Sequence, residues 1–477
     1  MKKQLLSGLL CLLLLLSLML SACNNDKGKT EQTTEGGENE TAAAGDPLVE
    51  MLPANIDMEG RSIKIATAYI DQHGFGLEDY SGDPIEDACY ERNMYIEERF
   101  DVILEYAEGD GYSLLQTAHL SQSPEYDFVY PNPFNLGTMM TQGMLTDMNS
   151  LKYLNLDQEW WNQSQVTGWN CNGHLYVAAG DSTITGQAFS GVVYNIGEYS
   201  RFGFEENLYQ TVYDGKWTME MLQTMVKQGS IDVDGSDEGD FYGLCYWDNI
   251  TYTFMYGMGQ NILAQNADGK FELAFETSKL TDIATALSNL LYEPNSMIVH
   301  SNTGNAGLPD SAMYTTFADG KGLFMTFDIG SQWGLLRDIE FDIGYLPLPK
   351  LDEAQKDYYS ICSAGCIGIP YFVKDADQAS IILEAITICS YQDLKPEFFN
   401  SILMGRLSEN QEDYDMLEYL HATKFYDVGW PLDTTQVASN MMYNVVISIG
   451  STSAVTTYMK GNYNALQAIV TAANEIQ

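Results

Sequence analysis

Positive charge is scarce in this sequence. The chain has 23 Lys and Arg residues against 66 Asp and Glu residues, and its formal net charge at pH 7 is −43. A surface that neutralises nucleic-acid phosphates or anionic lipid headgroups needs clustered cations. The composition therefore argues against a nucleic-acid partner and against membrane binding through a basic surface. Solubility alone would also account for an acidic surface.

The sequence motifs of several enzyme classes are missing as well. No stretch fits G-x-x-x-x-G-K-[ST], H-E-x-x-H or G-x-S-x-G, and no G-x-G-x-x-G follows a strand pattern. The histidines lie far apart in the sequence, and none has the neighbours of a catalytic base: His73, His119, His174, His300 and His421. Close pairs of carboxylates arise by chance among so many acids, so glycoside hydrolysis stays open. We predict no catalytic residue and no cofactor.

Cysteines are present but without the spacing of a disulfide framework or a zinc site. Beyond the N-terminal stretch they are scattered, mostly within apolar runs: Cys89, Cys171, Cys245, Cys362, Cys366 and Cys389. Cys362 and Cys366 are four residues apart but have no neighbouring histidine. We therefore predict buried free thiols and no metal centre.

The acidic stretch DVDGSDEGD, residues 232–240, supplies the hard oxygen atoms that calcium prefers. An EF-hand loop that starts at Asp232 would need glycine at its sixth position and glutamate at its twelfth. The sequence instead has Gly235 at the fourth position and Gly243 at the twelfth. A solvated acidic turn is the preferred interpretation, and calcium is the alternative.

The N-terminus has the order of an export signal. Two lysines precede an uncharged, leucine-rich run, Gln4 to Ala22, which a mature transmembrane helix would also explain. The run ends in Leu20-Ser21-Ala22-Cys23, which resembles the lipobox of bacterial lipoproteins. This resemblance implies that residues 1–22 are a signal peptide and that Cys23 is the lipid attachment site. Residues 23–51 are mostly polar and are expected to form a disordered tether.

From residue 52 onwards, strand patterns and helix patterns alternate. RSIKIATAY (61–69), VILEY (102–106) and YDFVYP (126–131) read as strands. Between the first two, Asp83 followed by Pro84 predicts the start of a helix with an apolar face. Strands that alternate with helices indicate an α/β fold with a largely parallel sheet. About 430 ordered residues exceed the usual size of one core, so we expect two lobes.

Aromatic residues mark the ends of several predicted elements. Tyr130 ends the third strand, Trp247 ends YGLCYW, Trp333 follows GLFMTF, and Trp430 lies in DVGWPLD. In open α/β sheets, ligands bind beyond the carboxyl ends of the strands. A sugar ring packs its C–H face on an aromatic plane, and its hydroxyl groups need planar donors and acceptors. These positions are candidate contacts for a carbohydrate, and packing in the core is the alternative for each.

The mature chain resembles a known family over nearly its whole length. GDPIEDACYERNMYIEERFDV, GHLYVAAGDSTI followed by VVYN, YDGKWTMEML, FADGKGLFM and DIGYLPLPK occur in this order. With the lipobox and tether, they resemble the extracellular solute-binding lipoproteins of ABC importers, family 1, the carbohydrate type. The resemblance implies a two-lobed, type II periplasmic-binding-protein-like α/β fold, in which each hinged lobe has a central, mostly parallel sheet.

The resemblance also implies a domain organisation. The chain would cross between the lobes near Asp181, Tyr359 and Phe425. The two lobes would then be residues 52–180 with 363–424, and residues 181–362 with 425–477.

The same resemblance implies a ligand site. Sugar-contacting positions of the family fall on Tyr130 with Asn132, on Trp247 and on Trp333. Asp181 falls at the first crossing, where a polar contact is common. We add Trp430 because of its own position at an element end.

The expected function is that of a monomeric, lipid-anchored receptor outside the cell that delivers a sugar or oligosaccharide to the permease of an ABC importer. It would contact the membrane only through its anchor. A secreted carbohydrate-active enzyme, a surface adhesin, and an importer receptor for a peptide or polyol are the alternatives.

Overall fold

The structure is a computed structural model. It describes residues 51–53, 56–67, 74–233, 235, 240–248, 251–301, 312–328, 336, 339–362, 365–403 and 411–476. The predicted lipid attachment site Cys23, the signal peptide, most of the tether and Trp333 lie outside the described residues. Residues 47–477 belong to one compact unit. Across the described ranges, each helix is too short or too polar to span a bilayer.

Fourteen strands are formed by the residues that the structure describes. They are β1 Arg61–Thr67, β2 Val102–Glu108, β3 Phe128–Tyr130, β4 Ala178–Ala179, β5 Ser190–Asn195, β6 Tyr242–Trp247, β7 Leu263–Gln265, β8 Phe271–Leu273, β9 Ile298–Ser301, β10 Gly322–Asp328, β11 Ile343–Pro347, β12 Ser360–Ile361, β13 Cys366–Ile367 and β14 Lys424–Phe425.

Sixteen α-helices are formed within the same ranges. They are α1 Pro84–Phe100, α2 Gly111–Ser121, α3 Leu136–Thr141, α4 Gln163–Gly168, α5 Ile196–Arg201, α6 Leu208–Tyr213, α7 Met219–Gln228, α8 Thr251–Gly257, α9 Thr277–Tyr292, α10 Ala312–Ala318, α11 Ala376–Cys389, α12 Lys395–Leu403, α13 Gln411–Ala422, α14 Gly429–Leu432, α15 Ala454–Gly461 and α16 Tyr463–Glu475.

The first sheet has the strand order β2-β1-β3, and both pairings are parallel. Its strands and the helix between β1 and β2 are those that the sequence predicts. The Asp83 side chain accepts hydrogen bonds from the backbone N–H groups of Ile85 and Glu86, so it caps α1 as expected. Ile63 and Ile65 are fully buried, because alternate residues of β1 point into the core.

The second sheet is mixed. Its order is β11-β5-β10-β6-β9. The pairs β10–β6 and β6–β9 are parallel, whereas β5 runs antiparallel to both β10 and β11. β5 follows directly after the chain has left the first sheet, and it enters the second sheet in the direction opposite to that of β10.

Short strand pairs lie where the chain passes between the two sheets. β4 pairs with β13, and Val129 of β3 bridges to Gly368, so these segments adjoin the first sheet. β12 pairs in parallel with β14, joining Ser360 to Lys424. The chain therefore passes from the first sheet to β5 of the second sheet after β4, and it returns to the first sheet at β13.

The interior is apolar and contains thiols that form no disulfide bond. The six cysteines among the described residues are all buried, as predicted, and no disulfide joins any two of them: Cys89, Cys171, Cys245, Cys362, Cys366 and Cys389. Burial raises the pKa of the Cys171 thiol to about 12, because a thiolate loses its hydration there. Burial likewise raises the pKa of Cys89, Cys245 and Cys366, which disfavours their thiolate forms.

Candidate functional site

A cavity of about 410 Å³ lies beside the segment that follows β14. Its lining combines aromatic rings with neutral polar side chains, and the residues are Phe134, Tyr252, Trp430, Gln436, Ser439, Asn440 and Tyr443. Phe134 comes from the turn after β3, Tyr252 from α8, and the others from α14 and the residues beyond it. Segments that are distant in sequence therefore meet at one place.

Trp430 lies at the centre of the aromatic group and is 7% exposed. Its ring centroid is 5.1 Å from that of Phe134 and 6.2 Å from that of Tyr252, with interplanar angles of 39° in both pairs. Tilted rings at these spacings are favourable aromatic pairs. The arrangement produces a continuous aromatic wall from three parts of the chain.

A buried carboxylate supports the backbone under Trp430. Asp427 accepts hydrogen bonds from the backbone N–H of Ile262, at 2.5 Å, and of Gly429, at 2.8 Å. Burial raises the pKa of Asp427 to about 6, and the two N–H donors oppose this rise because they stabilise the carboxylate. Asp427 thereby joins the β7 segment to the start of α14.

The turn after β3 presents Phe134. Asn132 accepts a hydrogen bond from the backbone N–H of Phe134 at 3.1 Å, and Pro133 begins the 3-10 turn that holds the ring. Phe134 is 53% exposed, although its ring packs on Trp430. Gly137 allows this approach, because a Cβ atom at that position would lie 2.1 Å from the carbonyl oxygen of Pro431.

A turn held by Asp433 forms the polar wall of the cavity. The buried carboxylate accepts hydrogen bonds from the backbone N–H groups of Val437, Ala438 and Ser439 at 2.8–2.9 Å, and from the Ser439 hydroxyl at 2.9 Å. Burial raises the pKa of Asp433, and these donors oppose the rise. Asn440 follows directly and faces the same cavity.

Tyr130 and Trp247, which the sequence predicted as sugar contacts, do not line this cavity. Tyr130 is 1% exposed, its ring packs 5.4 Å from that of Phe75, and its hydroxyl donates to Ser182 at 3.3 Å. It is thus a core residue and does not line the aromatic cavity. Trp247 is half-buried at the end of β6 and packs against the core. Asn132 does not line the cavity, but its side chain accepts a hydrogen bond from the backbone N–H of Phe134, which does.

Asp181 belongs to a different cavity, of about 350 Å³. Its carboxylate lies 3.7 Å from the Lys395 ammonium and 3.8 Å from Nε2 of His421. Burial raises the pKa of Asp181, and the charges of Lys424 and Lys395 oppose the rise. Because the two cavities share no lining residue, Asp181 is a member of a buried charge cluster and does not line the aromatic wall.

Of the six predicted positions, only Trp430 lines the aromatic cavity among the residues that the structure describes. Sequence reasoning missed Phe134, although it follows Pro131-Asn132-Pro133 at a strand end, which was a usable signal. Tyr252 lies five residues beyond Trp247, at the same element end. Gln436 and Asn440 had no distinguishing sequence pattern.

The acidic loop 232–240 lies only partly within the described residues. Asp232 accepts a hydrogen bond from the backbone N–H of Gly235 at 2.6 Å, and Asp240 accepts one from Val233 at 2.9 Å. Residues 234 and 236–239 lie outside the description. Within the described ranges there is no group of three or more His, Cys, Asp or Glu residues that could hold a metal ion.

Solved structures with a similar fold cover most of the chain. The GacH receptor of Streptomyces glaucescens, solved unliganded and with acarbose, matches with a TM-score of 0.56 at 12% identity over 86% of this chain and 99% of its own. UspC of M. tuberculosis matches with a TM-score of 0.55 at 15% identity, over 86% of this chain and 100% of its own. The maltose-maltodextrin binding protein of Alicyclobacillus acidocaldarius matches with a TM-score of 0.53 at 11% identity, over 86% of this chain and 100% of its own.

No protein-family model matches the sequence, and a search of curated proteins finds no match. At identities this low, the structural likeness shows the fold. The chain has the two-lobed α/β fold of periplasmic binding proteins, as the family resemblance implied.

Proposed function

We propose that this protein is the extracellular sugar-binding component of an ABC importer. It captures a sugar or oligosaccharide between two lobes and delivers it unchanged to the permease. The observation that carries this proposal is the wall formed by Phe134, Tyr252 and Trp430, which faces a turn of neutral polar side chains. The structural neighbours described as maltose-binding and acarbose-binding proteins support the same ligand class.

The chemistry of the cavity favours a neutral carbohydrate. Aromatic planes pack against the C–H faces of sugar rings, while amide and hydroxyl groups exchange hydrogen bonds with sugar hydroxyls. The described lining contains no Lys or Arg that could pair with an anionic ligand. The net charge of −43 also disfavours the approach of an anion.

The lining also supports binding without chemistry. None of the described residues that line the cavity carries a carboxyl, imidazole or ammonium group, and the carboxylates of Asp427 and Asp433 are bonded to the backbone behind the lining. General acid–base catalysis requires a group of this kind within hydrogen-bond reach of the substrate. A secreted hydrolase is therefore the less favoured function.

Capture would proceed by closure of the two lobes. We assign residues 52–180 with 363–424 to one lobe and residues 181–362 with 425–477 to the other. Phe134 then belongs to the first lobe, whereas Tyr252 and Trp430 belong to the second. A ligand that contacts both sides binds the closed form more tightly than the open form and shifts the population toward closure.

The proposed anchor explains how the receptor stays near its transporter. Acylation of Cys23 would hold the monomeric protein on the outer face of the membrane, and residues 23–51 would act as its tether. Confinement to the membrane raises the effective concentration of the receptor at the permease. Mass spectrometry of the N-terminal peptide tests for the acyl chains, and an unmodified Cys23 in exported protein would refute the anchor.

Thermal unfolding of the full chain in mild detergent tests the ligand class. The panel contains maltotriose, raffinose, trigalacturonate, sorbitol and a tripeptide. A neutral saccharide at about one hundred times its Kd should stabilise the protein by about 2.7 kcal/mol, whereas trigalacturonate should have no effect. Stabilisation by the tripeptide or sorbitol alone would overturn the carbohydrate assignment. Mass spectrometry of the recovered sugar would reveal turnover, which would overturn the receptor assignment.

A further inference from the structure

Two amide side chains on the polar wall are bonded to each other. Nδ2 of Asn440 donates to Oε1 of Gln436 at 3.0 Å. This bond uses the amide oxygen of Gln436 and the amide nitrogen of Asn440. Nε2 of Gln436 therefore remains as a hydrogen-bond donor, and Oδ1 of Asn440 remains as an acceptor. Both of these atoms are without a hydrogen-bond partner among the residues that the structure describes, and both residues line the 410 Å³ cavity.

One member of this amide pair, Gln436, has a backbone conformation that is uncommon for a residue other than glycine. Gln436 has a φ of 56°, in the left-handed region that favours glycine. A non-glycine residue there costs free energy, and such residues cluster at ligand-binding sites. Gln436 therefore occupies its place in the turn at a cost in backbone free energy.

Asp433 determines where the amide pair points. Its backbone carbonyl accepts from the N–H of Gln436 at 2.8 Å, and its carboxylate accepts from Val437, Ala438 and Ser439. The carbonyl of Gln436 in turn accepts from the N–H of Asn440 at 3.1 Å. Asp433 thus holds the backbone of Gln436 through its carbonyl and the three residues between the two amides through its carboxylate.

We propose that Gln436 and Asn440 together recognise two neighbouring hydroxyl groups of the ligand and that Asp433 is their positioning residue. This inference rests on the proposed function and specifies which atoms of the sugar are recognised. One hydroxyl accepts a hydrogen bond from Nε2 of Gln436, and the next donates one to Oδ1 of Asn440. The aromatic wall covers the face of a sugar ring, and the amide pair meets the hydroxyls at its edge.

The expected result is selectivity for the hydroxyl pair. A site that is built to bond a hydroxyl group rejects an analogue without it, because the polar groups of the site are then left unpaired. Affinity should therefore depend on both hydroxyls at once, and more steeply than on the number of carbon atoms that pack on the aromatic rings.

The variant Gln436→Glu tests the donor directly. A glutamate retains the Oε1 acceptor for Asn440 but replaces the Nε2 donor by an acceptor oxygen. Calorimetry with whichever of maltotriose or raffinose binds wild type should show at least about a tenfold loss of affinity, with an unchanged unfolding midpoint. Gln467→Glu on α16 makes the same change of atoms and charge outside this cavity and should bind like wild type.

Monodeoxy analogues of the same trisaccharide complete the test through a double-mutant cycle with Gln436→Ala. The loss caused by Gln436→Ala should disappear for the analogue that lacks the recognised hydroxyl. If wild type binds a trisaccharide and Gln436→Glu binds equally well, the amide-pair inference fails and the proposed function stands. If wild type binds neither sugar, both fail.

Discussion

Nζ of Lys424 donates a hydrogen bond to Nε2 of His421 at 2.8 Å, in a largely buried position beside Asp181. The same ammonium donates to the carbonyl of Gly186 at 2.6 Å. Lys424 begins β14, which pairs with β12, whereas Gly186 lies between β4 and β5. Because Nε2 accepts this bond, His421 must be neutral in the folded protein. The bond therefore joins two connecting segments of the chain only while His421 is unprotonated.

Replacing His421 by Gln should reduce the sensitivity of stability to acid. Burial, and then the charges of Lys424 and Lys395, hold the pKa of His421 well below its usual value. Below about pH 6.5, His421 consequently binds a proton in the unfolded chain but stays neutral in the folded chain. The stabilising contribution is complete above that pH and is lost as the pH falls below it. Denaturant unfolding at pH 5–8 measures the difference between wild type and variant.

The free-energy difference between wild type and His421→Gln should shrink by up to about 1.4 kcal/mol for each pH unit below 6.5. His174→Gln removes a more exposed imidazole and controls for the loss of a ring. Parallel stability curves for wild type and His421→Gln would show that the buried bond has no part in the acid response.

Asp427 should produce a pH dependence of the opposite sign. Its pKa is raised to about 6 by burial, so the folded state binds more protons than the unfolded state between about pH 4 and 6. Its contribution is therefore present below pH 4 and is lost as the pH rises through 6. Relative to Asp427→Asn, wild type should lose about 3 kcal/mol of unfolding free energy between pH 4 and 7. A constant difference across this range, measured by denaturant unfolding, would contradict the assignment.

Gly137→Ala should destabilise the protein by about 1–3 kcal/mol. The new Cβ would lie 2.1 Å from the carbonyl oxygen of Pro431 and 2.9 Å from Cα of Leu432, and backbone atoms cannot move aside without separating α3 from α14. Urea unfolding gives the free-energy change. Gly461→Ala is the matched control, because a Cβ there would have no heavy atom within 4 Å and should be tolerated. Equal stabilities of the two variants would contradict the close approach.

Gln436→Gly should separate stability from binding. Glycine adopts a φ of 56° without steric cost, so the variant should gain up to about 1 kcal/mol of unfolding free energy while losing the amide group that faces the cavity. Gln122 has a φ of 54° at the end of α2 and does not line this cavity. Gln122→Gly should gain similar stability and keep full affinity in calorimetry. Loss of sugar affinity in both variants, or in neither, would count against the role of Gln436.

Phe134→Ala should weaken sugar binding by about two- to twelvefold, since an aromatic contact contributes about 0.5–1.5 kcal/mol. Its ring is 53% exposed, so the unfolding free energy should change little. Tyr371 is 61% exposed and lies outside the aromatic cavity, and Tyr371→Ala is therefore a matched loss of a surface ring. Calorimetric titration of both variants with the same sugar compares them, and equal affinities would remove Phe134 from the site.

The local elements of the first sheet could be predicted because their causes are local. Ile63 and Ile65 alternate with polar residues in β1, and Asp83 lies where a helix cap is needed. Such signals depend on neighbours a few residues away and are unaffected by the rest of the chain. The scarcity of cations likewise depends on composition alone, and it disfavours nucleic acids and anionic membrane surfaces as partners.

What the sequence determined by itself was the type and order of the elements of the first sheet, the burial of its thiols and the α/β class. Only the tertiary structure decided that Trp430 meets Phe134 and Tyr252, and that Asp181 faces two lysines instead of the aromatic wall. The physical reason is that the chain leaves the first sheet after β4 and returns to it at β13, which brings distant segments together. Side chains at these junctions are positioned by packing among all the segments, which no short stretch of sequence encodes.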